Sequence, residues 1–515
     1  MSFLLWTVAA LMGFALLPWA INSIPERRAF LFGALILALL IGAGLALFGI
    51  WQAVPATVIC LTWLIALLFI DRLGSRNVNR PYSGALFALL VAIAIVPIYS
   101  APMRDLPEPD GPYAVGMKEF VVTDATRPGV RGARADEPRK ILVRAYYPAD
   151  HVDGLTVRPY MSPTEYATMV EAGAAMGQPS FMDSYKQYVA TNTYENAPVS
   201  TDGRFPVVIF SHGFTGPLAE NLFIVENMVS RGHVVFMASH PGNTRALFYP
   251  DGTTRIIDES ITRPMTEAFA AIMAGDAPVY ETLDEYWDAG GPFQMADVPV
   301  FADSMVIWRD DMLAIANALF AEDLDTEIVP VWRAVDRTKL AYVGMSFGGS
   351  TAGISCQADP RCGLAIALDG NNMDPNLVNA QTRAPVVSIQ APLGEFPGTE
   401  GLKGIGIGGV NDLSFESIAQ AGQSGLVTRV VVADTKHLSY TDNASFWRGP
   451  IRPLFLVGTL PADETNTAVN GLIGAALDEH FRGRSGALED FVASNEHAST
   501  YSLDAVASWG TARGL

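Results

Sequence analysis

A serine stands between glycines in Gly344-Met-Ser-Phe-Gly348, a G-x-S-x-G pattern. That pattern gains chemical meaning where a strand runs into it and a helix runs out, because the sharp turn then lifts the hydroxyl above the sheet. Here the apolar run "KLAYV" precedes it and the small-residue segment "GGSTAGIS" follows. Ser346 is therefore read as a nucleophile, its flanking glycines permitting the turn. A serine hydroxyl is a poor nucleophile near neutral pH and needs a base within hydrogen-bond reach. The chain offers seven histidines. His480 lies in a closing helix with acidic neighbours and His497 in a polar tail; His151 follows an early strand and His233 begins another. His212 and His240 sit at strand ends, where an active face should be, yet they precede the serine. His437, in "VVVADTKHLSYTD", comes after the last predicted strand and fits the chain order nucleophile, acid, base.

An acid must orient the imidazole and stabilise its cation. Asp369 ends the strand-like "GLAIALD" directly after the nucleophile's helix and is favoured for that task. Glu395, in the glycine- and proline-rich stretch after "APVVSIQAPLG", is the alternative. Asp434 is nearer to His437 in sequence and reads as a capping or ion-pairing residue. The tetrahedral intermediate needs backbone donors: the amide of Phe347 and, from "SHGFTG", the amide of Phe214. Both rings would line the acyl pocket, with His212, Gly213, His240 and Trp308 as further substrate-binding residues. No metal or organic cofactor is expected.

These residues need a scaffold, and after about Met103 the chain alternates strand-like and helix-like segments, the pattern of an α/β domain. "FPVVIFSHG" and "HVVFMASHPG" are continuous apolar runs, as buried parallel strands should be. "LAENLFIVENMVSRG" and "SMVIWRDDMLAIANALFAED" show helical spacing, and "CGLAIALDG", "APVVSIQAP" and "LVTRVVVAD" are further strands before the closing helix "VNGLIGAALDEHF". Two stretches fall outside the alternation, near 160–196 and 244–299, and are expected as helical insertions that could roof a pocket.

Ahead of this domain, residues 1–104 hold four apolar runs: Ser2–Ile21, Ala29–Ile50, about Trp51–Ile70 and Ser83–Ala101. Each approaches the ~20 residues that cross a hydrocarbon core. The start "MSFLLW" carries no cation, which argues against a signal peptide. Arg27, Arg28, Arg72, Arg76 and Arg80 fall in alternate loops, and cationic loops stay cytoplasmic. About four transmembrane helices would then deliver residues 105–515 to the outside, the periplasm if the membrane is a bacterial inner one. "APMRDLPEPDGPY" reads as the linker leaving the membrane. In that compartment Cys356 and Cys362, which bracket "QADPR", could form a disulfide worth roughly 2 kcal/mol. The net charge of −19 excludes a nucleic-acid partner and electrostatic docking on anionic lipid.

"FPVVIFSHGFTG", "VGMSFGG", "ALDG" and "KHLSYTD" together resemble the type II platelet-activating-factor acetylhydrolase family and the bacterial proteins described as predicted dienelactone hydrolases. The resemblance implies an α/β-hydrolase fold with a mostly parallel sheet, a Ser346–Asp369–His437 triad, Phe214 and Phe347 as oxyanion donors, and hydrolysis of short or oxidised acyl esters, including those on phospholipids. It departs at Met345, where the family usually has histidine. Cysteine, the nucleophile of characterised dienelactone hydrolases, is absent from the turn. The expected partners are a small-molecule or lipid ester and, through the helices, membrane lipid. An acyltransferase using the same triad and a non-catalytic membrane receptor on a hydrolase scaffold are the competing functions.

Overall fold

The computed structural model describes residues 1–16, 27–72, 80–129, 137–176, 180–264, 267, 283–288, 299–321, 328–370, 382–392, 426–501 and 512. Four apolar helices come first: α1 (Ser2–Phe14), α2 (Arg27–Leu47), α3 (Val54–Arg72) and α4 (Arg80–Ser100). Among the described residues, two stretches, 29–47 and 51–69, are long and apolar enough to cross a membrane; the apolar parts of α1 and α4 are shorter. The end of the first expected run, residues 17–21, lies outside the described residues. The helices bury one another through Leu5, Val8, Met12, Leu35, Cys60, Phe87 and Ile98, while Leu40, Leu61, Phe69 and Leu89 face outward.

The rest is an α/β fold, whose sheet among the described residues has eleven strands, ordered β13-β12-β11-β10-β9-β5-β6-β2-β1-β4-β3. Its centre is parallel: β6 (Val234–Ala238), β5 (Phe205–Ser211), β9 (Val335–Met345), β10 (Cys362–Leu368), β11 (Val386–Gln390) and β12 (Val427–Val432). Antiparallel strands flank it: β2 (Pro138–Ala149) with β1 (Ala114–Pro128) on one side and β13 (Ala498–Thr500) on the other. β4 (Ala190–Glu195) and β3 (Val157–Pro159) finish the first edge. The stretch near 160–196, expected to be helical, holds α5 (Pro163–Ala175) and a 3-10 segment (Ser180–Tyr188), but its end is the strand β4. Much of the stretch near 244–299 lies outside the described residues.

Central strands are apolar throughout because both faces are covered. Val207 and Ile209 of β5 pack with Met312 and Ile315 of α7 (Pro299–Ala321) on one face. Val208 and Phe210 belong to the opposite core, with Ile224 and Val225 of α6 (Leu222–Ser230) and Val469 and Leu472 of α9 (Ala462–Arg482). Burying residues at this density fixes the strands rigidly, and it is their carboxyl ends that carry the polar residues of interest. Cys356, in α8 (Phe347–Ala358), and Cys362, opening β10, are disulfide-bonded with Cα atoms 5.2 Å apart.

Candidate active site

Register brings the distant residues together. Met345, the last residue of β9, lies beside Leu368, the last of β10, and Leu368 pairs with Ile389 of β11. Ser346 and Asp369 therefore leave the sheet side by side. Ser346 N–H donates to the Leu368 carbonyl at 2.8 Å, and Asp369 N–H to the Ile389 carbonyl at 2.7 Å. Ser346 is partly exposed between buried neighbours on both sides.

Ser346 itself adopts φ 56°, ψ −123°. A non-glycine residue held there is strained and persists because its surroundings over-determine it. The flanking glycines, expected to permit the turn, do something else. A β-carbon on Gly344 would fall 2.2 Å from the Gly348 carbonyl oxygen, and one on Gly348 would fall 2.3 Å from the carbonyl oxygens of Ser211 and His212. They are needed for close approach of backbone to backbone, while the serine takes the positive φ. α8 begins at Phe347, so its first amides point back toward the turn.

His437 opens a 3-10 turn after β12, pinned where Leu438 N–H donates to the Leu456 carbonyl at 2.8 Å. Its Nδ1 is 2.5 Å from Asp369 Oδ2, and the other carboxylate oxygen of Asp369 accepts the Ala391 N–H at 2.8 Å. Both side chains keep some exposure, 18% and 13%. With Nδ1–H donating to the carboxylate, Nε2 is left as the acceptor. The carboxylate at Glu395 lies outside the described residues, as does much of the chain around it. Asp434 occupies φ 56° at a turn, its carbonyl accepting the Leu460 N–H at 3.0 Å.

The loop after β5 closes on the serine. A β-carbon on Gly213 would be 3.5 Å from Ser346 Cβ. The rings of Phe214 and Phe347 are 4.9 Å apart. The loop is braced by Glu220, a residue the motif reading passed over: its carboxylate accepts the Gly213 N–H and fills the space a Gly216 side chain would need. Burial raises the Glu220 pKa to about 7, against the opposing pull of that N–H, Arg245, His437 and Lys186. Its signal in sequence was there, an acid in a segment otherwise apolar, "PLAENLFIV".

A second serine–histidine–aspartate chain lies behind the first. Ser211 Oγ is 2.9 Å from His240 Nε2, and His240 Nδ1 is 3.0 Å from Asp311 Oδ2. All three residues are fully buried. Arg139 grips Asp311 through two nitrogens at 2.5 and 2.7 Å, and Arg127 reaches it at 3.0 Å. Burial would raise the Asp311 pKa, but the charge and hydrogen bonds of Arg139 outweigh it and hold it well below the usual range. His212 hydrogen-bonds Thr244 at 2.7 Å, and burial depresses its pKa to about 3. Trp308 stacks on His240 at 3.9 Å and meets the Phe347 ring edge-on. His212, His240 and Trp308, expected to contact substrate, thus stand behind the loop as its support, because hydrogen bonds and stacking consume their free faces. Among the described residues no group of three His, Cys, Asp or Glu side chains is arranged to hold a metal ion.

Beside the site lies a cavity of about 530 Å³, a size usual for small-molecule pockets. It reaches Phe214, Gly216 and Glu220 on one wall and Leu438, the neighbour of His437, on another.

The architecture is an α/β fold with a mostly parallel central sheet. Ferulic acid esterase from Streptomyces cinnamoneus superposes with a TM-score of 0.54, covering 77% of this chain and 99% of the esterase at 18% identity. In sequence, the description "Platelet-activating factor acetylhydrolase, isoform II" matches residues 98–253. Platelet-activating factor acetylhydrolase of Canis lupus familiaris is 24% identical over 316 residues, 59% of this chain and 64% of that protein. The Cavia porcellus protein is 23% identical over 273 residues, 51% of this chain and 55% of its own. The chain therefore resembles the platelet-activating factor acetylhydrolases, while spanning less than two thirds of the length of these relatives.

Proposed function

We propose that this chain is a membrane-anchored serine carboxylic ester hydrolase. The observation that carries the reading is the 2.5 Å contact between His437 Nδ1 and Asp369 Oδ2 at the strand ends where Ser346 turns out of the sheet. In this reading Ser346 attacks the ester carbonyl while His437 Nε2 takes its proton. Asp369 holds the imidazole in that tautomer and stabilises its cation. The amides of Phe214 and Phe347 receive the oxyanion. His437 then protonates the leaving alcohol, and water, activated by the same imidazole, releases the acid from Ser346. The similarity to platelet-activating factor acetylhydrolases favours short-chain or lipid-like acyl esters, taken up in the cavity beside Phe214.

The helical region supports anchoring. The turn between α2 and α3 and the end of α4 both touch the catalytic half, through Phe48–Tyr188 and Ser100–Arg448 hydrogen bonds. Arg27 and Arg28 at the start of α2, Arg72 at the end of α3 and Arg80 at the start of α4 belong to the opposite helix ends, about 28–32 Å away for helices of this length. Cationic ends stay cytoplasmic, so in this reading the catalytic half lies outside. A membrane-impermeant fluorophosphonate applied to intact cells tests both parts. Labelling of the wild type, lost in Ser346→Ala, is expected; failure to label folded, purified protein would end the serine-hydrolase reading.

A further inference from the structure

The Phe214 amide, which the ester-hydrolase reading assigns to the oxyanion, belongs to the peptide group that joins Gly213 to Phe214. In a trans peptide the N–H and the carbonyl point in opposite directions, so whatever holds the Gly213 carbonyl also aims the Phe214 N–H. Two donors hold it. His212 Nδ1 lies 2.7 Å from that carbonyl oxygen, and the Gly216 N–H donates to it at 3.0 Å. A carbonyl only accepts, so His212 Nδ1 carries the proton and Nε2 accepts from the Thr244 hydroxyl at 2.7 Å. The other side of Gly213 depends on one group. Its N–H donates to the Glu220 carboxyl and, among the described residues, to no other acceptor.

Glycine has the widest backbone freedom of any residue, so this one needs holding from both sides. A β-carbon on Gly213 would lie 2.9 Å from Glu220 Oε1 and 3.5 Å from Ser346 Cβ, which places carboxyl, glycine and nucleophile next to one another. Thr215, two residues on, sits at φ 62°, a strained conformation that its surroundings must impose. Among the described residues the Glu220 side chain makes no other hydrogen bond. The helix that follows does not use it: the Leu222 and Phe223 amides of α6 donate to Asp442, at 3.0 and 2.9 Å. The backbone of the segment is anchored independently. Asp442 N–H donates to the Glu220 carbonyl at 2.8 Å, and the Tyr160 hydroxyl to the Ala219 carbonyl at 2.9 Å. A carboxyl kept here against a burial that raises its pKa to about 7 fits a functional residue better than a structural one.

We propose that Glu220 is a positioning residue of ester hydrolysis: it holds the Gly213 N–H while His212 holds the Gly213 carbonyl, and together they aim the Phe214 amide at the oxyanion. This rests on the ester-hydrolase reading, with Phe214 as a donor. Without the carboxyl the Gly213 N–H is unpaired, the glycine regains its freedom, and the Phe214 amide loses its aim. The loss falls on the transition state, because only there does the substrate oxygen carry the charge that the amide meets.

The test is steady-state hydrolysis of p-nitrophenyl acetate by the full-length protein. Glu220→Leu fills similar space without an acceptor, and Glu220→Gln offers Gly213 an amide oxygen. Outright loss of one oxyanion donor costs about 10² to 10³ in kcat, and a misaimed donor should cost about 10- to 100-fold. In Glu220→Leu kcat and kcat/KM should fall together by that factor with KM unmoved, the pattern of an interaction made only in the transition state. Affinity for a trifluoromethyl ketone, whose adduct with Ser346 carries the oxyanion, should fall in parallel, and Glu220→Gln should restore both. If circular dichroism shows Glu220→Leu unfolded, Glu220→Asp, one methylene short of the Gly213 N–H, takes its place in the same measurements. An unchanged kcat in the folded variant overturns the proposal, as does a loss confined to KM or one that Glu220→Gln fails to restore. A wild type that cleaves no p-nitrophenyl ester sinks the hydrolase reading itself, and this proposal with it.

Discussion

Replacing Asp369 by asparagine has an outcome dictated by two hydrogen bonds. One carboxylate oxygen accepts the Ala391 N–H at 2.8 Å and the other accepts from His437 Nδ1 at 2.5 Å. An asparagine must put its NH2 in one of those places. Facing Ala391, two donors would oppose each other and a backbone bond would be lost, costing about 1–3 kcal/mol. Facing His437, the NH2 would donate to Nδ1 and drive the ring proton to Nε2, the atom that must accept from Ser346. The second arrangement is the cheaper, and it removes the base. The expected fall in kcat is about 10³ to 10⁴, or about 4–5.5 kcal/mol in the barrier, with the fold intact because the side chain is partly exposed. Steady-state hydrolysis of p-nitrophenyl acetate reads kcat, and circular dichroism reads the fold. Retention of more than about a tenth of wild-type kcat would refute the tautomer argument. If Glu395→Gln were crippled instead, the acid role would pass to Glu395.

Three further outcomes follow from the supporting residues. Asp311→Ala strands the buried Arg139 without its carboxylate, while Arg127 keeps Asp124, and should lower stability by about 3–5 kcal/mol in denaturant unfolding. Gly344→Ala drives a methyl against the Gly348 carbonyl at the turn itself, so a loss of at least about 1–3 kcal/mol is expected together with loss of esterase activity. For Glu220 the sign matters: its folded pKa, about 7, lies above the ordinary carboxyl value, so the folded state binds the extra proton. Its contribution to stability is full below the ordinary value and is lost as pH rises through about 7. Glu220→Gln can keep the Gly213 bond without titrating, so between pH 5 and about 8 wild-type stability should fall relative to the variant. Parallel curves would remove the raised pKa from the account.

Sequence periodicity carried the central strands because each is buried on two faces and reads as an unbroken apolar run, as in "FPVVIF". The fifteen-residue strand β1, "AVGMKEFVVTDATRP", escaped such a reading because its burial alternates irregularly and charged residues interrupt it. β4 escaped because it follows helices and is short and polar. Glu220 showed in the sequence only as an acid in a largely apolar segment; what makes it notable is the backbone amide 7 residues earlier that folds onto it. The histidines illustrate the limit. Strand-end position singled out His212 and His240 as competitors to His437, and position cannot tell a ring facing a site from one packed behind it.

By itself the sequence determined the local chemistry: a serine at a strand-to-helix junction, an acid and a histidine at later strand ends, four apolar runs at the amino-terminal end, and glycines where bulk is forbidden. Such properties depend on residue type and on neighbours along the chain. Tertiary structure alone decided which groups meet across long stretches of chain. Strand register sets Asp369 beside Ser346, a turn after β12 brings the imidazole to that carboxylate, and packing buries a second Ser–His–Asp chain whose residue types are identical. The physical reason is that hydrogen-bond reach and burial are distances through space, fixed only when the whole sheet has closed.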